Sequence, residues 1–336
     1  MRAVSGPAGT VSRTDAMIVG GYVRDNAGRP RGTRRASPGF VSLPRPVIAG
    51  TTYLVTRRCS QRQFLLRPCE LVNQIFLYCL AEAARRAEVA VHAFCVLSNH
   101  YHLVVTDLHG RLPEFERYLD EFVAKCINVT LKRWESVWSS GTYSAVRLED
   151  SQAVLEKILY TLTNPVAAGL VSHGYHWPGL RSPTTGAATL EVKRPCVFFR
   201  ADGPTPESAT LRLTPPPCFD GDEARWGTWL AQAVEEREAE LRRQAEADAR
   251  PFLGRRNVLA QSPYTTPSTH EDRRGLRPQV ACRDKWRRIE VLQRLKQFLA
   301  AYREAWLRFR AGVRDTLFPA GTYALRVHHG VACAPS

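Results

Sequence analysis

An almost uninterrupted apolar run, followed by a two-residue turn and a second strand-like run, constrains the fold of this chain most. Residues 89–97 (VAVHAFCVL) and residues 100–106 (HYHLVVT) flank Ser98 and Asn99, which are residue types that favour tight turns. Apolar runs of this length, rich in β-branched and aromatic residues, are typical of buried strands. The sequence therefore predicts a buried β-hairpin.

The segments around the hairpin show two periodicities. Apolar residues at helical spacing predict three helices, and clusters of β-branched residues predict two further strands. In chain order these are a strand at 51–56, helices at 70–88 and 112–134, a strand at 144–148 and a helix at 151–163. Asn164-Pro165 is expected to end the last helix, because proline disfavours the α conformation in the residue before it. The order predicts an α+β fold: one antiparallel sheet with helices on one side.

The composition divides the chain into three parts. Residues 1–44 are rich in Gly, Arg, Pro and Ser without periodicity, which predicts a disordered basic leader. Residues 45–182 hold the predicted sheet, and residues 183–336 form a mainly helical C-terminal extension with helices near 222–250 and 286–310. The apolar stripe of the last helix predicts packing against a core. Its basic residues indicate either a solvated face or a phosphate-binding face.

Charge and cysteine use narrow the class of protein. The net charge is +15, which indicates a polyanionic partner such as nucleic acid, or else an arginine-rich solvated surface. The nine cysteines include no CxxC pair, which argues against a zinc ribbon or a redox dithiol. No apolar stretch is long enough for a membrane span, and no signal peptide is evident. We expect a soluble cytoplasmic protein.

His100 and His102 flank Tyr101 on the second strand of the hairpin. Strand side chains alternate, so both imidazoles project from one face and can reach one metal ion, while Tyr101 points away. The alternative is a pair of surface histidines with no ligand.

Tyr160 and Asn164 form a second pair of candidate site residues. They are four residues apart on the third helix and share a helix face, with Glu156 one turn earlier. An amide oxygen beside two imidazoles is a plausible site for Mg²⁺ or Mn²⁺. The alternative for Tyr160 is a tyrosine at the edge of the core with a hydrated hydroxyl.

At this point the residues resemble a family. Residues 46–182 are similar to the single-tyrosine HUH transposases, where U is a bulky apolar residue, and most of all to their REP-associated tyrosine transposase branch. The strings that carry the resemblance are residues 52–58 (TYLVTRR), 98–105 (SNHYHLVV) and 160–171 (YTLTNPVAAGLV), in family order and at family spacing.

The resemblance implies a ferredoxin-like palm with the histidine strand central in its sheet. It implies that His100, His102 and Asn164 bind Mg²⁺ or Mn²⁺ and that Tyr160 is the catalytic nucleophile. Such enzymes cleave single-stranded DNA near hairpins through a 5′-phosphotyrosine intermediate and rejoin strands by the reverse attack. The REP-associated branch tends to act as monomers, whereas dimers occur in the wider family, so the resemblance favours a monomer over a dimer for this chain. The chain has no P-loop, so no nucleotide cofactor is expected. The alternative is an inactive or repurposed hairpin-binding protein.

Some residues depart from the family pattern or lie outside it. Residues 138–143 (WSSGTY) replace a Gly-Arg-Phe-type segment, and Ala167 stands where many relatives carry arginine. Five other side chains are expected to have structural roles: a hydrogen-bonded core histidine, a histidine pair on a turn, and two tryptophans that either pack or stack on unpaired bases. These are His92, His173 with His176, and Trp134 with Trp138.

Overall fold

The predicted hairpin forms the middle of one β-sheet in the computed structural model, which describes residues 44–141, 143–268 and 278–335. The strands in these ranges are β1 (Thr51–Arg58), β2 (Val89–Leu97), β3 (His100–Asp107), β4 (Ser144–Leu148), β5 (Ala188–Lys193), β6 (Ser208–Leu213) and β7 (Val280–Ala281). The helices are α1 (Glu70–Ala87), α2 (Leu112–Leu131), α3 (Ser151–Ala167), α4 (Glu223–Ala247), α5 (Arg255–Ala260), α6 (Lys285–Arg310) and α7 (Ala324–His329). The leader predicted at 1–44 lies, apart from its last residue, outside the described residues.

The strands follow the order β5-β6-β2-β3-β1-β4-β7. β1 to β4 are antiparallel to one another where they pair, whereas β6 runs parallel to β2 and β7 runs parallel to β4. The succession β1-α1-β2-β3-α2-β4 is the ferredoxin-like arrangement, in which β3 lies between β1 and β2. The α+β class and the ferredoxin-like sheet predicted from the sequence are therefore confirmed.

Both faces of this sheet are covered. Tyr101, Leu103 and Val105 of β3 pack in a core with residues of α1 and α2, whereas Val104 packs with residues of α3 and α4. Because side chains alternate along a strand, His102 projects from the α3 face. The predicted layer of helices on one side of the sheet corresponds to α1 and α2, whereas α3 and α4 form a second layer on the other face. The second helical layer and the parallel edge strands were not expected, because they depend on contacts between residues far apart in the chain.

Helix α3 passes through the proline that was expected to end it. It runs to Ala167 with Pro165 inside, so the predicted end at Asn164-Pro165 is wrong. Pro165 has no N–H to donate to the preceding turn. In the same turn the Arg181 guanidinium donates to the Leu162 carbonyl at 2.9 Å. Leu162 and Val166 are both buried, and this packing outweighs the local preference of the sequence.

His92 is a core histidine, as predicted, and both of its ring nitrogens are hydrogen-bonded. Nδ1 lies 2.9 Å from the Thr214 carbonyl oxygen and Nε2 lies 2.8 Å from the Thr106 hydroxyl. A carbonyl can only accept, so Nδ1 carries the proton and Nε2 accepts from Thr106. Burial lowers the pKa of His92 to about 4.

We expect His92 to make the fold sensitive to acid. In the unfolded chain the imidazole takes up a proton near pH ~6.5, whereas in the folded protein it does so only near pH 4. Protonation between these values therefore stabilises the unfolded state, and the free energy of unfolding should fall by about 3 kcal/mol from this group as the pH drops through that window. Urea unfolding at neutral pH and near pH ~4 measures the fall.

The control for this prediction is His92→Gln, which does not titrate. Its overall stability at neutral pH will be lower, but its loss between the two pH values should be smaller than that of the wild type by about 3 kcal/mol. Parallel losses in the two proteins would contradict the assignment.

Helix α6 forms where the sequence predicted a helix, but its packing differs. Val291 and Ala305 are its buried residues, and Trp286, Ile289 and Leu292 of the predicted core stripe are exposed. The prediction that this stripe packs into a core is therefore wrong for its first half. The helix follows the edge strand β7 in the chain. Among the described residues, no helix combines the length and apolar composition that a bilayer span requires.

Candidate active site

The two histidines stand at the start of the central strand. β3 pairs along its length with β1 on one side and β2 on the other, which places His102 opposite Thr56 and Cys95. The ring centroids of His100 and His102 are 4.8 Å apart, with the rings nearly perpendicular. The predicted convergence of the two imidazoles is thus present.

His102 is buried, with 5% of its surface exposed. Its Nδ1 lies 2.8 Å from the Thr56 hydroxyl, and its Nε2 is buried without a hydrogen-bond partner among the described residues. Burial, followed by the charges of His100 and Arg58, lowers its pKa well below the usual value. His102 is therefore a neutral imidazole at neutral pH and needs to lose no proton before it binds a cation.

His100 is oriented by its neighbour in the turn. Its Nδ1 lies 2.6 Å from the side-chain oxygen of Asn99, and the Asn99 amide donates to the Arg62 carbonyl at 3.2 Å. Because that oxygen accepts, Nδ1 of His100 carries a proton, and in the neutral ring the lone pair is on Nε2. The turn residues thus select the tautomer that suits metal binding.

Tyr160 of α3 lies directly against the histidine pair. The centroids of its ring and the His102 ring are 5.1 Å apart, and 43% of the tyrosine surface is exposed. Burial raises the pKa of Tyr160, while a hydrogen bond with the Asn164 side chain and the charge of Arg58 act in the opposite direction. The Lys157 ammonium lies 5.5 Å from the centre of the tyrosine ring. The nucleophile candidate is thus accessible and surrounded by positive charge.

Asn164 completes the predicted set. It is buried, with 7% of its surface exposed, and it bonds to Tyr160 from one turn further along α3. Glu156, which was expected to project with this pair, makes an ion pair with Arg283 instead, at 2.6 Å. The carboxylate nearest to the tyrosine along the helix is therefore already neutralised.

The donor set limits what the site can bind. In the part of the chain that the structure describes, no group of three His, Cys, Asp or Glu residues converges on one point. Any cation must be held by two imidazoles, the Asn164 amide and water. The unpartnered Nε2 of His102 fits such a role, because a buried nitrogen without a partner is otherwise costly. Imidazole nitrogen suits Mn²⁺ better than Mg²⁺, which prefers oxygen ligands.

A buried polar cluster on the opposite face of β3 was not predicted. The Tyr101 hydroxyl donates to Glu116 at 3.0 Å and lies 2.8 Å from Asp120, which faces Arg57 at 3.3 Å. Burial raises the pKa of Asp120 to about 6 and that of Glu116 well above its usual value. Glu116 and Asp120 are four residues apart on α2, and a carboxylate pair at that spacing beside the apolar stripe was the available signal. These hydrogen bonds fix the position of the Tyr101 side chain, which stands between the two histidines in the sequence.

The remaining sequence candidates lie outside this site. Trp138 is buried and its Nε1 donates to the Asp120 carbonyl at 2.8 Å, so it packs, whereas Trp134 is 91% exposed. His173 and His176 flank a short 3-10 turn with ring centroids 5.5 Å apart. Neither histidine contacts the pair on β3, which agrees with a local role.

Two solved structures share part of this fold. A REP-associated tyrosine transposase bound to a REP hairpin matches with a TM-score of 0.33 and 19% identity, over 41% of this chain and 80% of that chain. A protein assigned as a transposase from Deinococcus radiodurans R1 matches with a TM-score of 0.25 and 19% identity, over 31% of this chain and 84% of that chain. No protein-family model and no curated protein matches the chain.

Proposed function

We propose that this protein nicks and rejoins single-stranded DNA next to hairpins, with Tyr160 as the nucleophile. The observation that carries the proposal is the contact between the Tyr160 ring and His102, whose buried Nε2 has no hydrogen-bond partner among the described residues. A nucleophile, a neutral nitrogen ligand and a buried amide thus lie together at the end of the central strand. The sequence strings shared with tyrosine transposases point to the same chemistry.

The reaction is a transesterification at phosphorus. The Tyr160 oxygen forms a bond to the phosphorus atom while the bond from phosphorus to the 3′ oxygen breaks. The 3′ oxygen leaves with a proton as a hydroxyl, and the 5′ phosphate remains on the tyrosine. The reverse attack by a 3′ hydroxyl restores the phosphodiester. One ester replaces another, so no nucleotide cofactor is needed.

The charges around Tyr160 make this attack possible. A tyrosine with a raised pKa is a poor nucleophile at neutral pH. Arg58 and Lys157 provide positive charge for the phosphate and for the developing phenolate. The interaction with the Asn164 side chain lowers the pKa of Tyr160 and so favours the phenolate. Mg²⁺ or Mn²⁺, held by His100, His102 and Asn164, would polarise a non-bridging phosphate oxygen when bound.

A trapping experiment tests the proposal. The wild-type protein is incubated with Mn²⁺ and a library of single-stranded DNA hairpins, and products are separated on a denaturing protein gel. We expect a protein band shifted by covalently attached DNA, weaker with Mg²⁺ and absent with EDTA. The complete absence of such a band across a broad library would contradict the proposed enzymatic activity.

A hairpin-binding protein without catalysis is the second candidate. It is favoured by one observation: no carboxylate completes the ligand set in the described residues, so the affinity for a cation rests on few donors. The same library distinguishes the two candidates, since this protein would retain hairpins on a native gel and leave no band after denaturation.

A further inference from the structure

One side of helix α6 carries a continuous line of basic and apolar residues, which we call the basic stripe. Its members are spaced three or four residues apart and, at 3.6 residues per turn, fall within an arc of roughly 80°. They are Lys285, Arg288, Leu292, Lys296, Leu299, Arg303, Trp306 and Arg310. The arc contains no acidic residue, because Glu290 and Glu304 lie on the far side of the helix.

The stripe is available for a ligand. Its five basic residues are all exposed, and Leu292 is 48% exposed. Within the described ranges, none of these five basic side chains pairs with a carboxylate. The helix has 26 residues and is roughly 39 Å long, close to one turn of B-form DNA. Five like charges on one face repel one another, and a polyanion relieves that repulsion.

The position of the stripe relates it to the candidate active site. Two residues before it, the Arg283 guanidinium pairs with Glu156, one turn before Tyr160 on α3. The backbone N–H of Arg283 also donates to Asp150 at 2.5 Å, and Asp150 caps the start of α3 through the Ala153 N–H. The first turn of α6 is thus attached to the helix that carries the tyrosine. A polyanion bound along the stripe would therefore extend toward α3.

Self-association through charge is a weaker explanation for the stripe. The acidic helix of this chain is α4, and two of its exposed glutamates already pair with arginines of the same helix: Glu235 with Arg242, and Glu240 with Arg237. A second copy would therefore offer few unpaired carboxylates on α4. DNA offers one negative charge per phosphate.

We infer that the basic stripe of α6 binds the phosphate backbone of double-stranded DNA, namely the stem of a hairpin whose single-stranded flank enters the active site. The inference rests on the proposed function for its DNA partner. Binding of single strands relies on aromatic rings on which bases stack, and Trp306 alone among the stripe residues is aromatic, half-buried and covered by the Arg310 guanidinium at 4.8 Å. Regularly spaced arginines and lysines without a row of exposed rings suit a duplex backbone.

The test removes three charges from the stripe in the full-length protein. The variant is Arg288→Gln/Lys296→Gln/Arg303→Gln, and the matched control Arg200→Gln/Arg225→Gln/Arg243→Gln removes three exposed arginines elsewhere. Fluorescence anisotropy of a labelled hairpin with a stem of about 20 base pairs gives the Kd as a function of salt. Each lost phosphate contact lowers the slope of log Kd against log salt by about 0.9, so the stripe variant should lose about 2 to 3 in slope and the control much less.

Three outcomes would overturn the inference. The first is an equal change of slope in both variants, which would reflect net charge alone. The second is an equal loss of affinity for oligothymidine of the same length, which would remove the assignment to duplex. The third is a smaller size for the stripe variant than for the wild type in size-exclusion chromatography, which would make the stripe a self-association surface.

The inference and the proposed function can fail separately. Tyr160→Phe should bind the hairpin with the wild-type slope, because it leaves the stripe intact. If the wild type forms no covalent product but its slope depends on the stripe, the proposed chemistry is contradicted and DNA binding by the stripe is supported. A stripe variant that keeps the wild-type slope and still forms the covalent product would contradict DNA binding by the stripe and support the proposed chemistry.

Discussion

Replacing Tyr160 by phenylalanine should abolish covalent attachment to DNA, with a loss of at least about 10⁴-fold in the rate of adduct formation. The substitution removes the one atom that forms the bond to phosphorus and keeps the ring that packs against His102 at 5.1 Å. The loss should therefore be in chemistry and not in folding. The measurement is the initial rate of adduct formation on a denaturing gel, with thermal unfolding as the check on the fold.

The matched control is Tyr175→Phe. Tyr175 is also exposed, at 69%, but it lies in the short turn that follows α3, where its ring packs against His173 and His176. Its variant should form the adduct at the wild-type rate. An adduct that persists in Tyr160→Phe, or that disappears equally in both variants, would remove Tyr160 as the nucleophile.

Replacing His102 by alanine should have the next largest effect, a loss of at least about 10²-fold in adduct formation at any Mn²⁺ concentration. The substitution removes the buried Nε2 that has no hydrogen-bond partner in the described chain. It leaves Tyr160 and Asn164 in place. Manganese binding, measured by the loss of the free Mn²⁺ signal in electron paramagnetic resonance, should weaken in parallel.

A second variant tests the residue that orients the proposed metal ligand His102. Thr56→Val removes the hydroxyl that lies 2.8 Å from Nδ1 of His102 but keeps the imidazole. It should raise the Mn²⁺ concentration needed for half-maximal activity by about 10-fold to 100-fold, and excess Mn²⁺ should restore the rate. His176→Ala serves as the control for loss of a histidine. Unchanged Mn²⁺ binding in His102→Ala would exclude this nitrogen as a ligand.

Local patterns were sufficient for the central part of the fold. The β2–β3 hairpin, α1 and α2 were predicted because each has an apolar pattern that only one periodicity satisfies. The end of α3 was missed because the cost of Pro165 is local, whereas the packing of Leu162 and Val166 that offsets it involves distant residues. The exposure of the α6 stripe was missed for the same reason, since periodicity shows which residues share a face but not what covers that face.

The sequence predicted which of these side chains would lie near one another, but not the electrostatics around them. Strand and helix spacing brought together His100 with His102 and Tyr160 with Asn164, and the structure places the two pairs in contact. Spacing could not show that Glu156 would be neutralised by Arg283, 127 residues later in the chain. Nor could it show that one ring nitrogen of His102 would be buried without a partner among the described residues, because that depends on every element around it.

The central position of β3 has a consequence for how such a site could be controlled. This strand has a hydrogen-bonded neighbour on each side and a helical layer on each face. We expect the backbone amides in the interior of β3 to exchange slowly with solvent, because they become accessible only when the neighbouring strands separate. Helix α3 packs on one face of the sheet, against residues of β1 to β4 and of α4, and a salt bridge joins it to Arg283. A change in the distance between Tyr160 and the two histidines would therefore be a movement of α3 on this face, while the histidines stay fixed in the sheet.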